Sequence, residues 1–171
     1  MDEKSTAPAV PAEQEIIISR EFAAPLQFVY KAWTVQELMA RWWGPKDFTN
    51  PICELDVRPS GEIRIDMKAP DGTVYPMAGI FHEIIEPETL IFTSTAFQDE
   101  RGKWQLEVFN TVDFEEKEGK TLVNVQARII EKSPATEASV AGMEQGWNES
   151  FDKLQELLKD TAAFADRLDC F

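Results

Sequence analysis

Residues 133–160, SPATEASVAGMEQGWNESFDKLQELLKD, decide how the rest of the chain is read. Val140, Met143, Trp147, Phe151, Leu154, Leu157 and Leu158 recur at steps of three and four, which puts them in one apolar stripe of a helix. Glu144, Gln145, Glu149, Asp152, Lys153 and Glu156 fall between them and form a wet face. Pro134 suits a helix entry and not an interior, and Thr136 is the expected N-cap. The spacing therefore predicts one long helix from 134 to 160. Gly142 and Gly146 lie beside the stripe. Each costs a helix interior about 1 kcal/mol relative to alanine. Both are expected where another backbone packs close or where a ligand approaches.

Upstream of this helix the pattern is that of strands. TLVNVQARIIE (121–131) carries Val123, Val125, Ala127 and Ile129 on one face, and WQLEVFNTVDFEE (104–116) precedes it across a hairpin containing Gly119. TLIFTSTAF (89–97), TVYPMAGIFHEIIE (73–86), EIRIDMK (62–68) and ICELDVR (52–58) complete a run of six, with a bulge expected near Pro76 or Gly79. Before them stand two short helices, 25–34 and 36–41, the second ending in Trp42-Trp43-Gly44-Pro45. A first strand, EIIISREF (15–22), leads the fold. Six consecutive strands with short links imply an antiparallel meander with one apolar face to cover. The C-terminal helix is the only element large enough to cover it. Gly142, Gly146 and Gly79 are candidates for leaving a cleft between the two. The organisation read here is a flexible tail at 1–14, one domain at 15–160 and an extension at 161–171. The extension places Phe164, Leu168 and Phe171 at helical spacing and could dock on its own domain or on a second copy, so monomer and homodimer both stay open.

The chain has 171 residues, with 31 acidic against 17 basic and a net charge of −14. Such a surface repels phosphate backbones and anionic lipid headgroups, so neither nucleic acid nor a membrane is an expected partner. No stretch comes near the roughly 18 apolar residues that a spanning helix needs. The acidic, Ala- and Pro-rich start lacks the basic and apolar regions of a secretory signal, and a cytoplasmic location is expected. Cys53 and Cys170 lie in unlike contexts and do not form a disulfide framework. With His82 the one histidine, a structural metal site is not expected, nor is any cofactor. One histidine without a nucleophile elbow also makes no Ser-His-Asp trio. Strand alternation could turn His82 inward beside Ile80 and Ile84, and a bulge would reverse that.

REFAAPLQFVYKAWTVQELMARWWGP (20–45), PDGTVYPMAGIFHEIIEPETLIFTS (70–94) and GMEQGWNESFDKLQELL (142–158) resemble bacterial homologues of the heat-shock-protein-90 ATPase activator. Those proteins lie in the START/Bet v 1-like (SRPBCC) superfamily. The resemblance spans roughly residues 15–159. It implies an α+β helix-grip fold, with a curved antiparallel sheet wrapped around a long C-terminal helix. Family members often carry Arg or Lys where this chain has Thr89. The eukaryotic co-chaperone has a further N-terminal domain where this sequence has a short tail, so chaperone activation is not carried over.

In a helix-grip fold, the segments bearing Trp42, Trp43, Met67, Met77, Phe81, His82, Phe92, Trp104, Phe109, Met143, Trp147 and Phe151 would converge. These residues are the candidate lining of an apolar, adaptable cavity, with core filling as the alternative for any one of them. Of the adjacent Trp42 and Trp43, one is expected to anchor the short helix and the other to sit at the cleft. Three functions follow. The first is non-enzymatic binding of a small apolar or aromatic molecule, a stress-response role being among those the superfamily offers. The second is a cyclase/aromatase-like enzyme steering protons with His82, Tyr75, Glu83 and Asn110. The third is a module that contacts a chaperone.

Overall fold

The computed structural model describes residues 15–160. The tail expected at 1–14 and the extension expected at 161–171, with Cys170, lie outside the described residues. Chain order is β1 (Glu15–Phe22), α1 (Leu26–Thr34), α2 (Gln36–Met39), β2 (Thr49–Leu55), β3 (Glu62–Lys68), β4 (Val74–Ile85), β5 (Thr89–Gln98), β6 (Trp104–Lys117), β7 (Lys120–Lys132), α3 (Glu137–Ala141) and α4 (Met143–Leu157). The strands form one sheet in the order β1-β7-β6-β5-β4-β3-β2, with every neighbouring pair antiparallel. β2 to β7 make the expected meander. β1 closes against the last strand, so α1 and α2 carry the chain from one sheet edge to the other.

Alternation fixes which face is covered. Leu106, Val108, Val112 and Phe114 of β6 are buried, as are Val123, Val125, Ala127 and Ile129 of β7. The same face receives Phe151, Leu154 and Leu157 of α4. Phe151 meets Phe22 of β1 edge-on, with ring centroids 5.4 Å apart. Arg20, also on β1, holds the wet side of α4 through Asp152 at 2.8 Å. The architecture is the curved antiparallel sheet gripping a C-terminal helix, as the residues implied.

The C-terminal helix is two helices and not one. Pro134–Thr136 forms a 3-10 turn, α3 follows, and Gly142 interrupts it with φ −93° and ψ 4° before α4 begins. A glycine interior to a helix is the least costly place for such a break. Apolar spacing continues across it, so the periodicity of the sequence does not register the interruption. Thr136 does not cap α3. Its hydroxyl accepts from the Ser133 amide at 3.1 Å and donates to the Ser133 carbonyl at 2.9 Å.

Two strands also differ in detail. β2 runs Thr49–Leu55, starting before the expected 52, and it contains Pro51 with a register shift between Thr49 and Ile52. β2 is an edge strand, and an edge tolerates the missing proline donor. In β4 the irregularity lies between Phe81 and Glu83, not at Pro76 or Gly79. His82 is therefore the extra residue of a bulge, and it faces solvent. Gly79 answers a close strand approach instead of the cleft: a Cβ there would stand 2.3 Å from the Thr93 carbonyl oxygen.

Candidate ligand cavity

Aromatic side chains from both halves of the chain build one wall. Trp33 of α1 is fully buried and central. Its ring lies 4.7 Å from that of Trp42 and stacks on Trp147 of α4 at 6.0 Å and 20°. Trp42 is fully buried too, and its Nε1 donates to the Ala32 carbonyl at 2.9 Å. It is the anchor of the pair. Trp43 is only half-buried, and its ring meets Trp147 at 5.5 Å. Trp43 and Trp147 thus form the boundary between a filled core and an unfilled space.

That space is a cavity of about 540 Å³ between the inner sheet face and the α3–α4 segment. Its size falls within the range of small-molecule sites. The strands contribute Met67, Met77, Ser94, Ala96, Leu106, Val108 and Asn110, and the helical side contributes Ser139, Gly142, Met143, Gly146, Trp147 and Ser150. No charged side chain lines it. The room on the helical side depends on glycine. A Cβ on Gly146 would meet nothing nearer than Pro45 Cγ at 4.0 Å, and one on Gly142 nothing nearer than the Ala138 carbonyl at 3.5 Å.

The rim is a chain of half-buried rings. Phe48 lies 6.2 Å from Tyr75, which lies 6.0 Å from Phe97. Alternation along β5 sends Phe92, Ser94 and Ala96 inward and would send Phe97 outward. Its φ of 62° breaks the alternation and brings the ring to Tyr75. A bulky residue in that region is strained. The rim loop is tied to α4 by Lys153. Its Nζ donates to the carbonyls of Trp43 at 3.4 Å, Pro45 at 3.0 Å and Phe48 at 3.3 Å.

Of the residues expected at the site, the fold brings Trp43, Met67, Met77, Met143 and Trp147 together at the cavity. Trp42, Phe81, Phe92 and Phe151 are buried in the core behind that wall. They face the right side of the sheet but are covered by other side chains. Trp104 sits at the start of β6, paired with Gln98, and does not line the cavity. His82 and Phe109 are on the opposite face of the sheet, stacked at 5.8 Å and 18°, with Arg128 over the Phe109 ring. His82 is outward by plain alternation, sharing a face with exposed Ile80 while Met77 and Phe81 point in; the bulge that follows Phe81 returns Ile84 alone to the core. Phe109 is outward because Val108 and Asn110 on either side are inward. Phe48, Phe97 and the serines give no signal in the sequence: a loop residue, a strand residue of reversed orientation and small polar groups carry no apolar periodicity. Among the described residues, no cluster of three His, Cys, Asp or Glu is placed to hold a metal ion.

The sequence model of the family described as Activator of Hsp90 ATPase homolog 1-like protein matches residues 23–159. The chain belongs to that family. The match takes in all elements from α1 to α4, and so every wall of the cavity. Solved structures share the fold of this Hsp90-activator-homolog-like chain. The X-ray structure of a protein from Nitrosomonas europaea is 26% identical, covers 90% of this chain and 99% of its own, and superposes with a TM-score of 0.73. A solution structure from Arthrobacter aurescens, at 24% identity, covers 86% and 87% with a TM-score of 0.75. An AHSA1 protein from Silicibacter pomeroyi, at 20%, covers 85% and 97% with 0.70. No curated protein matches the chain. Thr89 donates to Asp113 at 2.9 Å on the sheet surface. No helix among the described residues is long and apolar enough to cross a membrane.

Proposed function

We propose that this Hsp90-activator-homolog-like chain is a non-enzymatic binder of a small apolar or aromatic molecule, held between the sheet and α4. The observation that carries this reading is the cavity itself: about 540 Å³, walled by Trp43, Trp147 and three methionines, with no charge in its lining. Aromatic and thioether side chains offer a polarisable, adaptable surface to a flat ligand. The polar groups present are hydroxyls and one carboxamide. They can orient a ligand but include no nucleophile paired with a base. A cyclase-like reading loses His82, which stands on the other side of the sheet. A free, inward-set Cys53 and the acidic composition support a reducing, cytoplasmic setting.

Titration of tryptophan fluorescence with neutral aromatic compounds tests the reading, because Trp43 and Trp147 would report directly. Saturable quenching is expected in the native chain and not in Gly146→Phe, whose ring would enter the cavity. Quenching that survives Gly146→Phe unchanged would place binding elsewhere. The family's description favours a second reading, contact with a chaperone. Co-precipitation of purified Hsp90 with the chain, at low and high salt, decides that one.

A further inference from the structure

Asn110 is a polar side chain set in an apolar row. Val108 and Val112 flank it along β6, Phe92 and Ala127 pair with it on either side, and it is 2% exposed. It nevertheless lines the cavity. Its Nδ2 donates to Ser94 Oγ at 3.0 Å and lies 3.4 Å from the carbonyl oxygens of both Phe92 and Val108. Those two carbonyls can only accept, so the nitrogen must face them and the amide orientation is fixed. The other branch, Oδ1, takes no hydrogen bond from any described residue. It is not among the side-chain atoms sealed without a partner, so this oxygen opens into the cavity, where a ligand donor can take the place of water. Ser94 Oγ beside it already accepts from Asn110, which leaves its own proton to give.

From this geometry we infer that the ligand is a neutral, mostly apolar ring compound bearing a hydrogen-bond donor, a phenol-type hydroxyl, that docks on Asn110 Oδ1. The inference rests on the cavity reading above and sharpens it. The hydroxyl oxygen of such a group can in turn accept from Ser94. A deprotonated, anionic ligand does not fit: the lining has no cation, and Oδ1 would face a second negative oxygen. Ser150 does not compete for the role, because its hydroxyl is committed to the Gly44 carbonyl at 2.8 Å.

Isothermal titration calorimetry of the native chain with three probes of one shape tests this: naphthol, methoxynaphthalene and methylnaphthalene, each substituted at the same ring position. Naphthol is expected to bind about two- to tenfold more tightly than the other two, the factor that one net hydrogen bond supplies. Equal affinities for all three would overturn the inference and leave the apolar cavity reading standing. Methoxynaphthalene matching naphthol would overturn it as well, since the polar end would then be a donor site and not an acceptor. Absence of binding by all three would remove both readings. In Asn110→Leu, checked for an unchanged far-ultraviolet circular dichroism spectrum, naphthol affinity is expected to fall to that of methylnaphthalene. A preference that persists in this variant would also overturn the assignment.

Discussion

Lys153 Nζ of α4 lies 3.0 Å from the carbonyl oxygen of Pro45, in the loop that follows Trp42 and Trp43. The same ammonium reaches the carbonyls of Trp43 and Phe48, so one side chain gathers three backbone acceptors that neither strand nor helix uses. Burial holds the Lys153 ammonium below its ordinary pKa of 10.5, against the pull of Asp47 and Glu149. The three carbonyls are what make a charged group tolerable at this depth. Lys153→Met keeps the stem and removes the donors. It is expected to lower stability by about 1–2 kcal/mol and to speed amide exchange in residues 43–48. Urea unfolding and hydrogen exchange check it, and an unchanged exchange pattern in that loop would contradict the tie.

Glu149 fastens the same loop one turn earlier. Its carboxylate accepts from the Lys46 amide at 3.0 Å and from Gln145 at 2.9 Å. These bonds, the Gln145 one foremost, hold its pKa below the ordinary 4.5. A carboxylate whose pKa is lower folded than unfolded contributes fully above the unfolded value, and that contribution is lost as pH falls through the folded value. The loop is therefore expected to loosen below about pH 4.5. Lys46 amide exchange, corrected for intrinsic rates, should accelerate on acidification in the native chain and show no such acid step in Glu149→Gln.

Core and cavity positions on one helix stripe should respond differently to truncation. Phe151 is fully buried between Phe22 and Trp33. Phe151→Ala is expected to cost about 3–5 kcal/mol, because the neighbours cannot close over the hole. Met143 is half-buried and borders space that is already empty. Met143→Ala should cost about 1 kcal/mol or less, while it enlarges the cavity and weakens ligand binding. Chemical denaturation of the two variants separates these outcomes; equal losses would mean that the cavity is filled in solution.

Cys53 should be a poor nucleophile. Burial first, then the nearby Glu37 and Glu54, push its thiol pKa up to about 12. In a Cys170→Ser background the remaining thiol should react with a disulfide reagent at pH 8 at least about a hundredfold more slowly than free cysteine, since the thiolate is the reactive form. Full reactivity would be restored by denaturant. Rapid labelling of the native chain would show that the strand bearing Cys53 opens readily.

Local spacing fixed a great deal. The alternation in 62–68 and 121–131, the three-and-four rhythm of 140–158 and the Pro and Gly turns between them determine nearly every element of this fold. The residues at 20–45, 70–94 and 142–158 carry the family. These are short-range signals, because a side chain's face follows from its neighbours along the same strand or helix.

What only the folded chain decides is which inward residues are covered and which border empty space. Trp42 and Trp43 are adjacent and chemically identical, yet one is fully enclosed and the other faces the cavity, because α1 offers an acceptor at Ala32 to only one of them. Phe92 and Ser94 share a face of β5, yet Phe81 packs against the first while the cavity bordered by Gly146 opens onto the second. Ile84 turns inward through a single bulge while His82 stays outward with Ile80, and Phe97 turns inward through a single positive φ. Each of these outcomes depends on groups distant in sequence that meet only when the sheet closes on α4. No pattern within one segment encodes that meeting.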